Sequence, residues 1–460
     1  MIGACVTALS AAIPAAARAA TTAAPSAANL VASIAAEAAV ANGADTAWVL
    51  TSTALVLFMT LPGLAIFYAG LVKQRNAISL LMQTFSIAAV MTVLWTVCGY
   101  SLSFSEVGMV EGKVGLHSFI GGLDKCFFRG ITEHSLTGTI PELLWAAFQM
   151  TFAIITPALM VGAWAERMKY APKMIFIVLW SFLVYFPAAH SVWGGPGAYF
   201  ADMGVLDFAG GIVVHVTAGI GALLACIMVG PRRDNAMKPH NLPLMAMGTG
   251  MLWVGWYGFN AGSAVTAGGA AAMALLVTQI SAATAACVWS AVDWVTEGKP
   301  SMLGLGTGAI AGLASITPAS GFVGPVGALI IGATAGLVCR FFSFEIKEKF
   351  GYDDSLDVFG VHGVGGFVGT LLVGFLCHPM FGGNQVGVNM LHQFGVQAFA
   401  AFSTAAYTLV ASYVCLKIAG ALCGGLRATA EEEESGLDSS MHGEEAYSIM
   451  SMDEDKPMTA

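Results

Sequence analysis

Charge is what this sequence has little of. Of its 460 residues only 19 are Lys or Arg and 28 Asp or Glu, 10% together, against roughly 25% in a soluble domain. So few polar groups cannot cover a water-facing surface, which excludes a soluble enzyme and a disordered chain. No basic patch equips it for nucleic acid. Paired cysteines are also missing. None of the nine Cys stands in a CxxC spacing; Cys98, Cys226, Cys287, Cys339, Cys415 and Cys423 lie in or against apolar runs, and only Cys126 falls clearly in a hydrophilic loop. Neither a disulfide framework nor a zinc site is implied.

Long apolar runs fill the space that charge leaves. Hydrophobic residues make up 57% of the chain and the mean hydropathy is +0.75. The 55 Gly suit helices packed closely in lipid. The net charge of −9 is local: beyond Arg427, Glu431–Glu434, Asp438, Glu444, Glu445 and residues 453–455 face a single cation, Lys456. Apolar runs long enough to span a bilayer, about 20 residues, recur near 47–71, 77–103, 139–165, 174–192, 208–230, 242–262, 268–294, 302–318, 323–344, 359–380 and 393–424. They predict an all-α polytopic membrane protein of eleven transmembrane helices. Three regions follow: an Ala-rich extension at 1–46, a membrane domain at 47–428 and an acidic tail at 429–460.

The loops orient it. Those after odd-numbered runs carry Lys73 and Arg75; Arg167, Lys169 and Lys173; Arg232, Arg233 and Lys238; Lys299; and Arg340, Lys347 and Lys349. Loops after even-numbered runs carry no Lys or Arg, apart from the long one with Lys113, Lys125 and Arg129. Positive charge stays inside, so the N-terminus is expected outside a plasma or inner membrane and the C-terminus in the cytosol. There Glu431–Glu434 are expected to make a solvated hinge, with Gly436–Tyr447 docked under the loops that carry Arg232, Arg233 and Lys238. Small residues such as Ala15–Ala17 suit a cleaved signal peptide, yet Arg18 is the first cation where a basic start is usual. A cleaved signal and an Ala/Thr linker both remain open.

Two halves of the chain resemble one another. Phe67–Gly70 matches Phe259–Gly262, and Asp207–Gly211 followed by His215 matches Asp357–Gly360 followed by His362. Runs one to five and six to ten therefore form two five-helix repeats, necessarily inverted because five is odd, with the eleventh helix outside them. Such repeats place the substrate site between the halves at mid-membrane. His215 and His362 are the histidines well inside apolar runs, where an ionisable group is costly and marks function by default. Gly211 and Gly219 flank the first; Gly360, Gly363, Gly365 and Gly366 crowd the second. A single buried His would more often be a satisfied core residue, but matching positions in both repeats favour a functional pair. Asp207 and Asp357 begin their helices, where a carboxylate caps free N–H groups. Capping is the main expectation for Asp357; for Asp207, holding the loop and attracting a cation stand level.

DFAGGIVVHVTAG (207–219), DVFGVHGVGG (357–366), GWYGFNAGSA (255–264), AAFQMTFA (146–153), GAWAERM (162–168) and KPHNLP (238–243) resemble the ammonium transporter (Amt/Mep/Rh) family. The likeness runs from about Ala47 to the tail segment GLDSSMHGEEAY (436–447), and the tail and FNAGSA favour the Amt/Mep branch. The loop Glu106–Ile140 is longer than expected of a compact bacterial member. The resemblance implies that Phe148, Trp193 and Ser263, with Asp207 near, recruit an ammonium ion outside. It implies that Phe148 and Phe259 stack to close the pore and that His215 and His362 line it. It also implies a homotrimer with one pore per subunit, a tail that a PII-type regulator can meet, and neither enzymatic activity nor a cofactor.

Elementary chemistry agrees with that assignment. A cation over Trp gains about 0.5–2 kcal/mol. Ammonium and potassium are alike in size, so a dry pore separates them better than a sieve, because a bare ion at mid-bilayer costs about 3 to over 10 kcal/mol. Ammonium alone can shed a proton, at about 3 kcal/mol for an amine two pK units above ambient pH. Paired imidazoles can carry that proton. Without the motifs, Trp193 would be an interfacial anchor, Phe148 and Phe259 core rings, and Ser263 a hydroxyl bonded to its own helix. Rival functions are haem ligation by His215 and His362, an ammonium sensor signalling through the tail, and a Rhesus-type channel for neutral gas.

Overall fold

A computed structural model describes residues 41–234 and 239–447. The expected signal segment, Lys238 and the tail beyond Tyr447 lie outside the described residues. Eleven helices cover the eleven apolar runs: α1 Gly43–Leu71, α2 Gln74–Phe104, α3 Glu142–Trp164, α4 Tyr170–Trp193, α5 Gly211–Val229, α6 Leu242–Gly262, α7 Gly269–Glu297, α8 Met302–Ile316, α9 Pro325–Phe350, α10 Phe359–Leu376 and α11 Met390–Leu422. Among the described residues, nine are long and apolar enough to cross a membrane; α6 and α8 are the exceptions. With 15 residues, α8 rises only about 22 Å. The buried turn Thr317–Ser320 continues it inside the protein, where irregular backbone is tolerated at membrane depth. The chain is a helical multi-pass membrane protein.

Polar residues outside the apolar runs set the helix starts. Asn42 accepts from the Ala44 and Asp45 amides, Asn241 from Leu244, Ser301 from Gly304, and Asn389 from Leu391 and His392. Each satisfies N–H groups that a helix leaves unpaired. Glycine then sets how closely the helices pack. A Cβ on Gly312 of α8 would lie 2.5 Å from the Ser281 carbonyl of α7, as would one on Gly332 of α9. Between α5 and α10 the approach is tighter: a Cβ on Gly219 would fall 2.2 Å from Cα of Gly363. These small-residue contacts are how helices gain van der Waals attraction in lipid.

The long loop after α2 is strapped down. Lys125 donates to Glu142 at 2.7 Å and Tyr100 donates to the same oxygen at 2.8 Å. The His190 ring reaches the carbonyls of Ser103 and His117 at 3.0 and 2.8 Å. The strands β1 Leu136–Thr137 and β2 Ile140–Pro141 pair antiparallel near its end.

At the opposite face, Arg167 is fully buried and donates to the carbonyls of Ala163, Ala165, Gly230 and Asp353. Arg232 pairs with Asp353 at 2.8 Å and Glu166 at 3.1 Å. Burial alone would raise the Asp353 carboxyl, but Arg232 and Arg167 hold it below its ordinary value. The tail differs from a solvated acidic hinge. Ala430–Ser435 forms a short helix, α12, closed by a capping box of Thr429 and Glu432, and Glu433 turns inward to Arg427. Asp438 then accepts from the Ile78 and Ser79 amides at the start of α2, and Leu437 donates to Asn76. His442 stands edge-on to Tyr170, and Tyr447 meets His240 and Asn241.

Candidate functional site

Asp207, at the start of the fifth apolar run, builds one end of the site. Helix α5 begins only at Gly211 because Gly210 adopts φ 118°, a left-handed conformation that glycine accepts without strain. That turn lets the buried Asp207 carboxylate accept from four amides, Gly210 and Gly211 on one oxygen and Ile212 and Val213 on the other, at 2.6–3.2 Å. The Asp207 carbonyl accepts from the indole N–H of Trp193 at 2.9 Å. Asp207 thus holds both the helix start and Trp193.

Four rings lead inward. Phe152 stacks on Phe259 with centroids 4.3 Å apart and meets Phe148 and Trp193 edge-on at 5.0 and 5.9 Å. The expected stack of Phe148 on Phe259 is corrected here: the ring on Phe259 is Phe152, one helical turn beyond Phe148. Its signal was present, since residues four apart share a helix face. Ser263 donates to the Phe259 carbonyl at 2.8 Å, and its neighbour Gly262 lies against Phe148, whose ring a Cβ would meet at 3.1 Å.

Beneath the rings lies the histidine pair. His215 and His362 are 1% and 4% exposed, with Nδ1 atoms 3.3 Å apart and ring planes within 15°. His215 stacks on Trp256 at 5.5 Å and leaves Nε2 buried without a partner. Both histidines sit in π-helical turns, Gly211–Val216 and Phe359–Gly363. Each turn packs on the other repeat's helix, the reciprocal contact that inverted copies make. The 3.3 Å contact leaves no gap for a macrocycle between the imidazoles. The Gly219–Gly363 crossing sets this distance, and Gly366 packs beneath His215, where a Cβ would come 2.9 Å from its own.

Asp357 does not cap its helix. Asp354 does, accepting from the Phe359 amide at 2.7 Å, while Asp357 takes φ 57° and turns its carboxylate to Lys347. Among the described residues no three His, Cys, Asp or Glu side chains gather as a metal site.

Residues 47–447 match the Ammonium Transporter Family. The chain belongs to the ammonium transporter family. It is 43% identical to an ammonium transporter of Aquifex aeolicus over 90% of this chain and 96% of that one, and 42% identical to one of Bacillus subtilis over 88% and 98%. Among solved structures it resembles Saccharomyces cerevisiae Mep2, with TM-score 0.77, 32% identity and coverage of 85% and 89%. A protein described as a Sensor Amt Protein gives TM-score 0.77 at 28% identity over 87% and 98%. Family membership makes this a transport protein and not an enzyme, and the aromatic rings and the histidine pair lie in one continuous series of ring contacts. Trp256 and Phe152 join that series, although the motifs did not single them out.

Proposed function

We propose that the protein carries ammonium across the membrane by recruiting the ion outside, removing its proton and conducting ammonia past His215 and His362. Contact between the two imidazoles in an apolar passage is the observation that carries this reading. An ion approaching Trp193 meets a ring quadrupole and the hydroxyl of Ser263, enough to concentrate it without trapping it. Phe148, Phe152 and Phe259 then seal the path against water. A bare cation at the histidines has no counter-charge, whereas ammonia can hydrogen-bond to an imidazole nitrogen and pass. The proton left behind can move along the Nδ1–Nδ1 contact, making transport electrogenic.

The same proposal places all eleven helices across a plasma or inner membrane, N-terminus outside, as a homotrimer with one pore per subunit. The docked tail then lies at the cytosolic face, where a PII-type regulator can reach it. That tail also supports a second reading as an ammonium sensor, in keeping with the similarity to the Sensor Amt Protein. Flux decides between them: vesicles containing the protein should take up an ammonium analogue, and negligible uptake with intact tail signalling would favour sensing.

The test of selectivity is His215→Asp in reconstituted protein. A carboxylate at that depth holds water and lowers the barrier to intact ions. Potassium current should appear where wild type carries none. Unaltered potassium exclusion in a folded variant would overturn the proposal.

A further inference from the structure

The proton that reaches His362 needs somewhere to go, and the structure offers a destination. Nδ1 of His362 is committed to His215. On the cytosolic side His362 lines a cavity of about 30 Å³ shared with Tyr68, Thr307 and Asp357, room for one water molecule. Asp357, whose backbone is left-handed at φ 57°, lines the same cavity. Three residues earlier, Asp354 spends one carboxylate oxygen on the Phe359 amide, while its other oxygen is buried without a hydrogen-bond partner.

Asp354 is buried, the Asp357 side chain is 17% exposed, and one ammonium acts on both carboxylates. Lys347 donates to Asp357 and to the Asp354 carbonyl. Asp353 lies nearby but is already matched by Arg232 and Arg167. Tyr68 and Tyr352 also feel both carboxylates and Cys226 feels Asp354, and all three are neutral near pH 7. The pair with Lys347 therefore carries one net negative charge and has room for one proton.

We propose that Asp354 and Asp357 are the cytosolic proton acceptor of the relay, with a water in the shared cavity as the bridge from His362. The inference rests on the proton relay proposed above. The imidazolium N–H bond at Nε2 breaks as the water gains that proton, and the water passes another of its protons to the Asp357 carboxylate. No oxidant or co-reactant is required. Burial and the neighbouring charge of Asp357 push the Asp354 carboxyl up to about 6, so the pair can accept a proton near neutral pH and release it to the cytosol. Asp357 acts on the proton directly; Asp354 acts as a positioning residue that holds the turn and shares the charge.

The test uses full-length protein in liposomes, with current and methylammonium uptake measured in parallel. Asp357→Asn keeps a residue type that tolerates positive φ, and Asp354→Asn keeps an oxygen for the Phe359 amide. Each should lower current per methylammonium delivered at least threefold while uptake persists. In wild type, lowering the internal pH below 6 should depress that ratio as the pair fills. A merely structural role predicts current and uptake falling together. If wild type carries current, His362→Ala loses it, and either folded Asn variant keeps the wild-type ratio, this inference fails and the relay stands. If wild-type uptake carries no current, the relay fails and the inference with it.

Discussion

Gly219→Ala tests whether the helix crossing holds the histidines in contact. The new methyl would fall 2.2 Å from Cα and 2.3 Å from the amide nitrogen of Gly363, both backbone atoms that no rotamer change can move. Carbon atoms settle at about 3.5–4.0 Å, so α5 and α10 must separate by about 1.3 Å or more at that level. Carried to the histidines, this stretches the 3.3 Å Nδ1 contact to about 4.5 Å, beyond hydrogen-bond reach. Overpacking costs about 1–3 kcal/mol, tolerable for a protein of this size. The lost hydrogen bond, at about 0.5–1.5 kcal/mol, corresponds to a roughly two- to tenfold slower proton step. Current per methylammonium should fall by that factor while the variant still folds. Gly250→Ala, where a Cβ meets nothing within 4 Å, is the matched control and should leave both readouts unchanged. A folded Gly219→Ala protein with wild-type current would refute the claim that this crossing sets the relay.

Trp193→Leu removes the quadrupole but not the pore, so the half-saturation concentration of ammonium current should rise more than maximal current falls. Asp207→Ala strips partners from four buried amides; at about 1–3 kcal/mol each, even partial relief by water leaves a loss above about 3 kcal/mol in a thermal or denaturant unfolding assay. Asp354 predicts a pH trend. Its folded carboxyl lies near 6 against 3.8 for the ordinary group, so the native state binds the proton more tightly. Stability should rise as pH falls from 7 towards 4, by up to about 3 kcal/mol at 1.36 kcal/mol per unit, and Asp354→Asn should flatten that rise in a Tm-versus-pH series.

The parts of the site that repeat in sequence were legible there. His215 and His362 each follow an Asp-x-x-Gly motif, eight and five residues after its Asp, and the glycines that admit their contact lie beside them. The helices were equally plain, because an apolar run of 20 residues has few other uses. What escaped depends on a single backbone angle or on a partner far along the chain. Asp354 and Asp357 lie three residues apart at the same helix start, and a φ of 57° decides which one caps. Phe152 takes the place expected of Phe148 because ring stacking depends on helix rotation against α6. The tail's acid run suggested a solvated hinge, but Arg427 lies six residues before Glu433 and converts it to a docked helix.

On the proposed route, Asp207 leaves the outer mouth to attract a cation without holding a charge for it. Both carboxylate oxygens are spent on amides, so the charge neutralises a helix start instead of facing the ion. What remains part-exposed is softer: the Trp193 ring and the Ser263 hydroxyl, with Phe148 and Phe152 fully buried behind them. A free carboxylate would bind ammonium and potassium alike and slow their release. A quadrupole and one hydroxyl hold an ion briefly and leave discrimination to the histidines below. Affinity at the mouth and selectivity in the pore then depend on different residues, so a variant at Trp193 should shift capture while potassium exclusion stays intact.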